Sequence, residues 1–222
     1  MFVRSAPLPP PPPPVEIRTW PDRRALLADR AFILGALVKM HTGPGRLGLL
    51  WMWGAVGALG WALIGTAFIT FEQSYDIFSA VVGVILLAMG ACCLVPAVIL
   101  VVIGLRRDRQ LRRLLSQWGA LDRDPASDAA YRLPGVSLAW LLGSFALCAC
   151  GLYACFAVPA GAVRGDDTYG LMALVMGLGF IGWLIGLIGI NKAFWHRRWV
   201  LRTLLGAPAP EPLISAGGGA HR

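Results

Sequence analysis

The side chains best suited to chemistry in this sequence are cysteines, and their spacing argues against a chemical role. There are five, all within long apolar segments: Cys92, Cys93, Cys148, Cys150 and Cys155. Metal sites and redox motifs commonly use a Cys-x-x-Cys pair with further ligands nearby, and the sequence contains no such pair. Cys148 and Cys150 would point about 200° apart on a helix and could not share a face. We interpret the cysteines as small, polarizable packing residues.

The histidines and the acidic residues also lack the patterns of a catalytic or metal site. Histidine occurs three times, at His41, His196 and His221, without a His-x-x-x-His pair. The sequence therefore predicts no metal and no cofactor, and it contains no Walker loop and no Gly-x-Ser-x-Gly motif. An enzyme acting on a lipid would need paired ionisable groups at one membrane surface. The candidates on the side away from most of the basic residues are Glu72, Asp76, Asp166 and Asp167.

Four apolar runs determine the fold class. They cover residues 47–71, 77–105, 136–158 and 169–190, and none contains Lys, Arg, Asp, Glu or His. Each run has at least 22 residues. About 20 helical residues suffice to cross a hydrocarbon core of about 30 Å. The sequence therefore predicts an all-α, polytopic membrane protein, a bundle of four transmembrane helices.

The distribution of basic residues predicts the orientation in the membrane. All but one of the 20 Lys and Arg residues precede the first run, lie between the second and third runs, or follow the fourth. Cytoplasmic segments of membrane proteins collect Lys and Arg, so we expect a plasma-membrane protein with both termini in the cytosol. The net charge of +8 then suits the anionic lipids of the inner leaflet and does not call for nucleic acid.

The segments outside the membrane divide the chain further. Residues 1–21 are predicted to form a disordered, proline-rich leader. The alternative is that the polyproline II stretch 7–14 is a ligand for an aromatic-lined groove on a partner. Residues 22–46 predict an amphipathic helix on the inner leaflet and a linker. The four-span membrane domain then covers 47–205, and 206–222 predict a disordered tail.

The start and the end of the amphipathic helix carry recognisable signals. Asp22 is placed to cap the helix, and the Gly43-Pro44-Gly45 sequence is expected to break it before the first membrane run.

A basic helix is predicted over 106–121, directly after the second run. Leucines and a tryptophan recur at helical spacing on one face. The other positions hold five arginines that we consider a candidate lipid-binding or partner-binding site: Arg106, Arg107, Arg109, Arg112 and Arg113. The alternative is that these arginines only set the orientation of the chain in the membrane.

Small residues recur within two of the runs and predict close helix packing. Gly54, Ala58 and Ala62 are spaced four apart in the first run, and Gly182 and Gly186 are spaced likewise in the fourth. Such stripes allow two helix backbones to approach closely, and we expect the first and fourth spans to pack through them.

The charge-free runs disfavour pumps and proton relays, which generally retain an ionisable residue inside the membrane. We expect a non-enzymatic structural, regulatory or accessory subunit with basic cytosolic surfaces. Its expected partners are anionic lipids together with a protein partner or a second copy of the chain. The alternative is a small oligomeric transporter or channel for an apolar or neutral solute, although its polar path would rest on few hydroxyl groups: Thr66, Thr70, Ser79 and Ser144.

Overall fold

The protein is seen in a computed structural model that describes residues 7–14, 20–73, 76–122, 134–161 and 169–205. Its helices in this part of the chain are α1 (Arg23–Thr42), α2 (Pro44–Gln73), α3 (Ile77–Gly119), α4 (Pro134–Gly161) and α5 (Tyr169–Leu205). Four helical stretches are long and apolar enough to cross a membrane. This confirms the prediction of an all-helical protein with four helices able to span a bilayer. The predicted disordered tail, 206–222, lies outside the described residues.

The boundaries of α1 follow the signals in the sequence. Asp22 caps the helix through its carboxylate, which accepts a hydrogen bond of 2.8 Å from the backbone N–H of Ala25. The helix ends at Gly43, whose backbone is extended, as expected for the residue before a proline. Pro44 then opens α2, where its missing N–H costs no helical hydrogen bond. The predicted cap and break are confirmed.

The helices α3 and α5 extend well beyond their apolar runs. The first is 43 residues long and the second 37, whereas about 20 residues cross a bilayer. Gly104 does not interrupt α3, so the basic segment after the second run is a direct continuation of that helix. A part able to span a membrane and a basic extension therefore form one continuous helix.

The connected helices pack as two antiparallel hairpins, α2 with α3 and α4 with α5. A Cβ atom built on Gly60 of α2 would lie 2.7 Å from the backbone nitrogen of Leu94 in α3. One built on Gly151 of α4 would lie 2.5 Å from the backbone nitrogen of Trp183 in α5. Only glycine permits backbones to approach this closely.

The hairpins meet through α2 and α5. Gly54, near the start of α2, lies against Ile185, whereas Gly65 lies against Leu174. These two helices are therefore antiparallel as well. Among the described residues α3 and α4 have at most marginal backbone contact, so the spanning helices form an open row in the order α3, α2, α5, α4.

This packing brings the starts of α2 and α4 and the extensions of α3 and α5 to one end of the row, which we call the basic end. The hydrophobic core of the protein also lies there, between α1 and the two extensions. We call this group of residues the end core: Ile33, Leu34, Leu37, Val38, Leu111, Leu115, Trp118, Leu121, Trp199 and Val200. The apolar face of α1 thus packs on α3 and α5.

Candidate functional site at the basic end

A buried ion pair joins the two long helices at the basic end. The Lys192 ammonium of α5 donates a hydrogen bond of 2.8 Å to Oδ2 of Asp108 in α3, and both side chains are largely buried. Lys192 also lies 4.8 Å from the ring centroid of Trp140. The Trp140 indole N–H donates to the backbone oxygen of Thr42. One lysine therefore links α3 and α5 to α4 and, through Trp140, to α1.

The ion pair is embedded in an environment that disfavours charge. Burial lowers the pKa of Lys192 even though the Asp108 carboxylate raises it. The second carboxylate oxygen of Asp108, Oδ1, is buried without a hydrogen-bond partner among the described residues. Removing one member of such a pair leaves the other charge buried and uncompensated, which is strongly destabilising.

His41, near the end of α1, lies beside this pair and is fully buried. Its ring is 5.2 Å from that of Trp195 and 6.3 Å from that of His196. Both imidazole nitrogens lack a hydrogen-bond partner in the described part of the chain. Burial, followed by the positive charges of Lys192 and Arg112, holds the pKa of His41 well below its ordinary value. His41 is therefore neutral at neutral pH.

Aromatic rings on α5 complete the surroundings of the cluster. The Arg112 guanidinium lies 5.0 Å from the ring centroid of Trp195, a distance at which a cation is attracted to the face of the ring. Trp199 stacks near both Trp195 and His196. We call the group His41, Asp108, Arg112, Lys192 and His196 the polar cluster.

The five arginines of the predicted binding site divide into two groups. Arg106, Arg109 and Arg113 are exposed on the outer face of the α3 extension. Arg107 and Arg112 are partly buried, and burial lowers the pKa of each. The candidate site is therefore not one uniform surface, because Arg112 is engaged with Trp195 whereas three arginines face outward.

The proline-rich leader lies against α3. The Trp118 indole N–H donates a hydrogen bond of 3.1 Å to the backbone oxygen of Pro10, and Leu8 packs on the end core. An open pocket of about 400 Å³ lies alongside, lined by Leu8, Ile103, Arg106, Arg107 and Gln110. The predicted disorder of residues 1–21 stays a prediction, and residues 1–6 and 15–19 lie outside the described part.

The small residues of the predicted stripes lie at several interfaces. Gly54 faces α5, where an added Cβ atom would be 3.1 Å from Ile185. Gly182 and Gly186 face α4 rather than α2, the partner expected from the sequence: a Cβ atom on Gly186 would lie 2.6 Å from the backbone nitrogen of Cys148. Two further residues, Ala58 and Ala62, are partly buried on α2.

Two carboxylates at the opposite end of the row, Glu72 and Asp76, have structural partners. Both Glu72 oxygens accept hydrogen bonds from the backbone N–H of Gly170, at 3.0 and 2.9 Å. A carboxylate at a helix N-terminus satisfies an otherwise unpaired donor and complements the helix dipole. Asp76 caps α3 by accepting from the Ser79 N–H. Asp166 and Asp167 lie outside the described residues.

The chemistry available elsewhere in the described chain is limited. No group of three or more His, Cys, Asp or Glu side chains there could hold a metal ion; His221 lies outside this part. The described cysteines are free thiols, and Cys155 donates to the backbone oxygen of Met176. The hydroxyl groups of Thr66 and Thr70 donate to carbonyls one turn earlier in their own helix.

The members of the polar cluster other than Arg112 were not predicted as a candidate site from the sequence. One feature of the sequence does single out Asp108, the acidic member of the Lys192–Asp108 pair. It is the only acidic residue between 73 and 121 other than Asp76.

No protein-family model matches this chain, and no curated protein or solved structure matches it at a significant level.

Proposed function

We propose that this chain is a non-enzymatic plasma-membrane protein with four transmembrane helices and both termini in the cytosol. It acts as a structural, regulatory or accessory subunit whose basic end binds the anionic inner leaflet or an acidic partner. The observation that carries the proposal is that Arg106, Arg109 and Arg113 are exposed on an extension held by the end core.

The packing of the α3 extension in the end core favours binding by these arginines. Each basic residue near an anionic leaflet contributes about 1 kcal/mol. Three therefore contribute roughly 3 kcal/mol, or somewhat more than a hundredfold in affinity. Because Leu111, Leu115 and Trp118 already anchor the helix, little further backbone order has to be imposed on binding.

A non-enzymatic role is supported by the engagement of the ionisable groups. Glu72 and Asp76 are occupied as helix caps, and Lys192 is paired with Asp108. The threonine hydroxyls do not favour a transport path. Thr66 and Thr70 each donate a hydrogen bond to a backbone carbonyl of their own helix. These groups, which either activity could have used, are thus engaged in structural contacts.

The test is a comparison of lipids on the purified full-length protein in detergent. Phosphatidylglycerol should raise the melting temperature more than phosphatidylcholine does, and added salt should reduce the difference. Changing Arg106, Arg109 and Arg113 together to Gln should remove much of the effect, whereas Gln117→Ala on the same exposed helix should not. Equal stabilisation by both lipids would contradict lipid binding at the basic end.

A further inference from the structure

We infer that the pocket beside the leader binds the phosphate headgroup of a single anionic phospholipid. This inference rests on the proposed function and makes it specific, because it replaces a diffuse attraction to the leaflet by one site. We call the site the headgroup pocket; its lining is Leu8, Ile103, Arg106, Arg107 and Gln110.

The headgroup pocket lies where a lipid phosphate would lie. Ile103 belongs to the last turn of the charge-free run 77–105, and 53% of its surface is exposed. Arg106 and Arg107 follow within one helical turn. In a bilayer the apolar run occupies the hydrocarbon core and the first basic residues lie at the level of the headgroups. The pocket therefore joins an apolar wall to a cationic one at that boundary.

The charges of the pocket suit a phosphate. Its lining contains two guanidinium groups and no carboxylate. The carboxylate next in sequence, Asp108, is instead engaged by Lys192 at 2.8 Å on the buried side of the helix. Guanidinium groups bind phosphate oxygens in a planar, two-pronged geometry. Gln110 adds a neutral amide that can donate a hydrogen bond.

The leader also contributes to the lining of the pocket. Leu8 lines the pocket, and the hydrogen bond from Trp118 to the Pro10 carbonyl holds this segment against α3. A proline-rich strand has no internal hydrogen bonds, so such contacts with the helix determine its position. A volume of about 400 Å³ falls within the roughly 300–1,000 Å³ common for small-ligand sites.

The experiment compares two double variants of equal charge in the full-length protein. Arg106→Gln with Arg107→Gln removes the two guanidinium groups of the pocket. Arg109→Gln with Arg113→Gln removes two exposed charges of the same helix that do not line it. Phosphatidylglycerol retention in detergent is measured by native mass spectrometry, and its apparent affinity by the shift in melting temperature.

We expect the pocket variant to bind phosphatidylglycerol roughly tenfold or more weakly, from two contacts of about 1 kcal/mol each. The outer variant should lose clearly less affinity than the pocket variant, since its charges attract the bound lipid only through screened, longer-range attraction. Equal weakening of both variants would overturn the headgroup pocket while leaving the proposed function intact. No weakening of either would overturn both.

A second pair of variants tests the contribution of the leader to the pocket. Leu8→Ser should weaken phosphatidylglycerol binding, whereas Pro14→Ser, at an exposed position of the same segment, should not. An unchanged affinity for Leu8→Ser would overturn the part assigned to the leader. Inorganic phosphate and glycerol 3-phosphate separate the two sources of phosphate. If either stabilises the protein as strongly as the lipid at equal concentration, the ligand is a soluble anion and the phospholipid assignment is wrong.

Discussion

The Lys192 ammonium lies 2.8 Å from Oδ2 of Asp108, 84 residues earlier in the chain. This pair connects the extensions of α3 and α5 below the open row of spanning helices. It is also the point at which the end core, the polar cluster and the aromatic rings of α5 come together.

Breaking this pair should destabilise the protein strongly. Lys192→Met or Asp108→Asn should each cost about 3 kcal/mol, because the remaining charge stays buried without its partner. The double variant should recover part of that loss. Thermal unfolding in detergent measures the effect.

The exposed pair formed by Arg23 and Asp122 is the matched control. Arg23→Gln should change the melting temperature little, since exposed ion pairs contribute only about 0–1 kcal/mol. Single variants of Lys192 and Asp108 that unfold like the parent would show that the pair is not a determinant of stability.

Acidification should destabilise the basic end through His41. Its pKa is lowered in the folded state, chiefly by burial, with Lys192, Arg112, His196 and Arg46 adding to the effect. The unfolded state therefore takes up the proton first as the pH falls below about 6.5. The stability contributed by neutral His41 is present above that pH and is lost progressively as the pH falls towards the folded pKa.

The variant His41→Phe removes this titration and keeps a ring beside Trp195. The melting temperature of the parent should fall between about pH 7 and pH 5, and that of the variant should fall less. An identical pH dependence in the two proteins would show that His41 does not control this transition.

Close packing of α4 on α5 should make Gly186 intolerant of any side chain. In Gly186→Ala the new Cβ atom would lie 2.6 Å from the backbone nitrogen of Cys148, so the two helices would have to separate. Gly104→Ala is the control, because nothing lies within 4 Å of its added Cβ atom. A helical Gly→Ala change of that kind is neutral or stabilises by up to about 1 kcal/mol. Equal melting temperatures for the two variants would contradict the packing described for α4 and α5.

Reporters of membrane sidedness test the orientation. A reporter fused after Arg222 should be active only as a cytosolic type, because nearly all Lys and Arg residues lie in segments on that side. Fusions within 72–76 or 159–168 should report the opposite side. A C-terminal reporter active outside the cell would reverse the proposed orientation of the basic end.

The sequence predicts local structure well in this protein. Charge-free runs that, as helices, are longer than the bilayer is thick identify the helices able to span it. The Asp22 cap and the break at Gly43 follow from single-residue preferences. The spacing of Leu111, Leu115 and Trp118 likewise identifies the buried face of the α3 extension. These features depend on residues within one or two helical turns of each other.

The partners of those faces were decided only by the tertiary structure. Periodicity shows that α1 and the α3 extension have apolar faces, but a lipid surface and a neighbouring helix satisfy the same pattern. The sequence predicts an α1 on the inner leaflet, which stays a prediction, and the structure adds that its apolar face packs on α3 and α5. Likewise, Gly182 and Gly186 allow another helix to approach α5 closely, but they do not specify that this helix is α4.

The sequence by itself therefore determined an all-helical chain with four helices able to span a membrane, separated by segments of unequal charge. Only the tertiary structure brought His41 to His196, Lys192 to Asp108 and Pro10 to Trp118. The physical reason is that helix formation and hydrophobic length are local properties, whereas each of these contacts joins residues far apart in the chain. Their proximity follows from how the glycine-lined helices pack, which no single segment specifies.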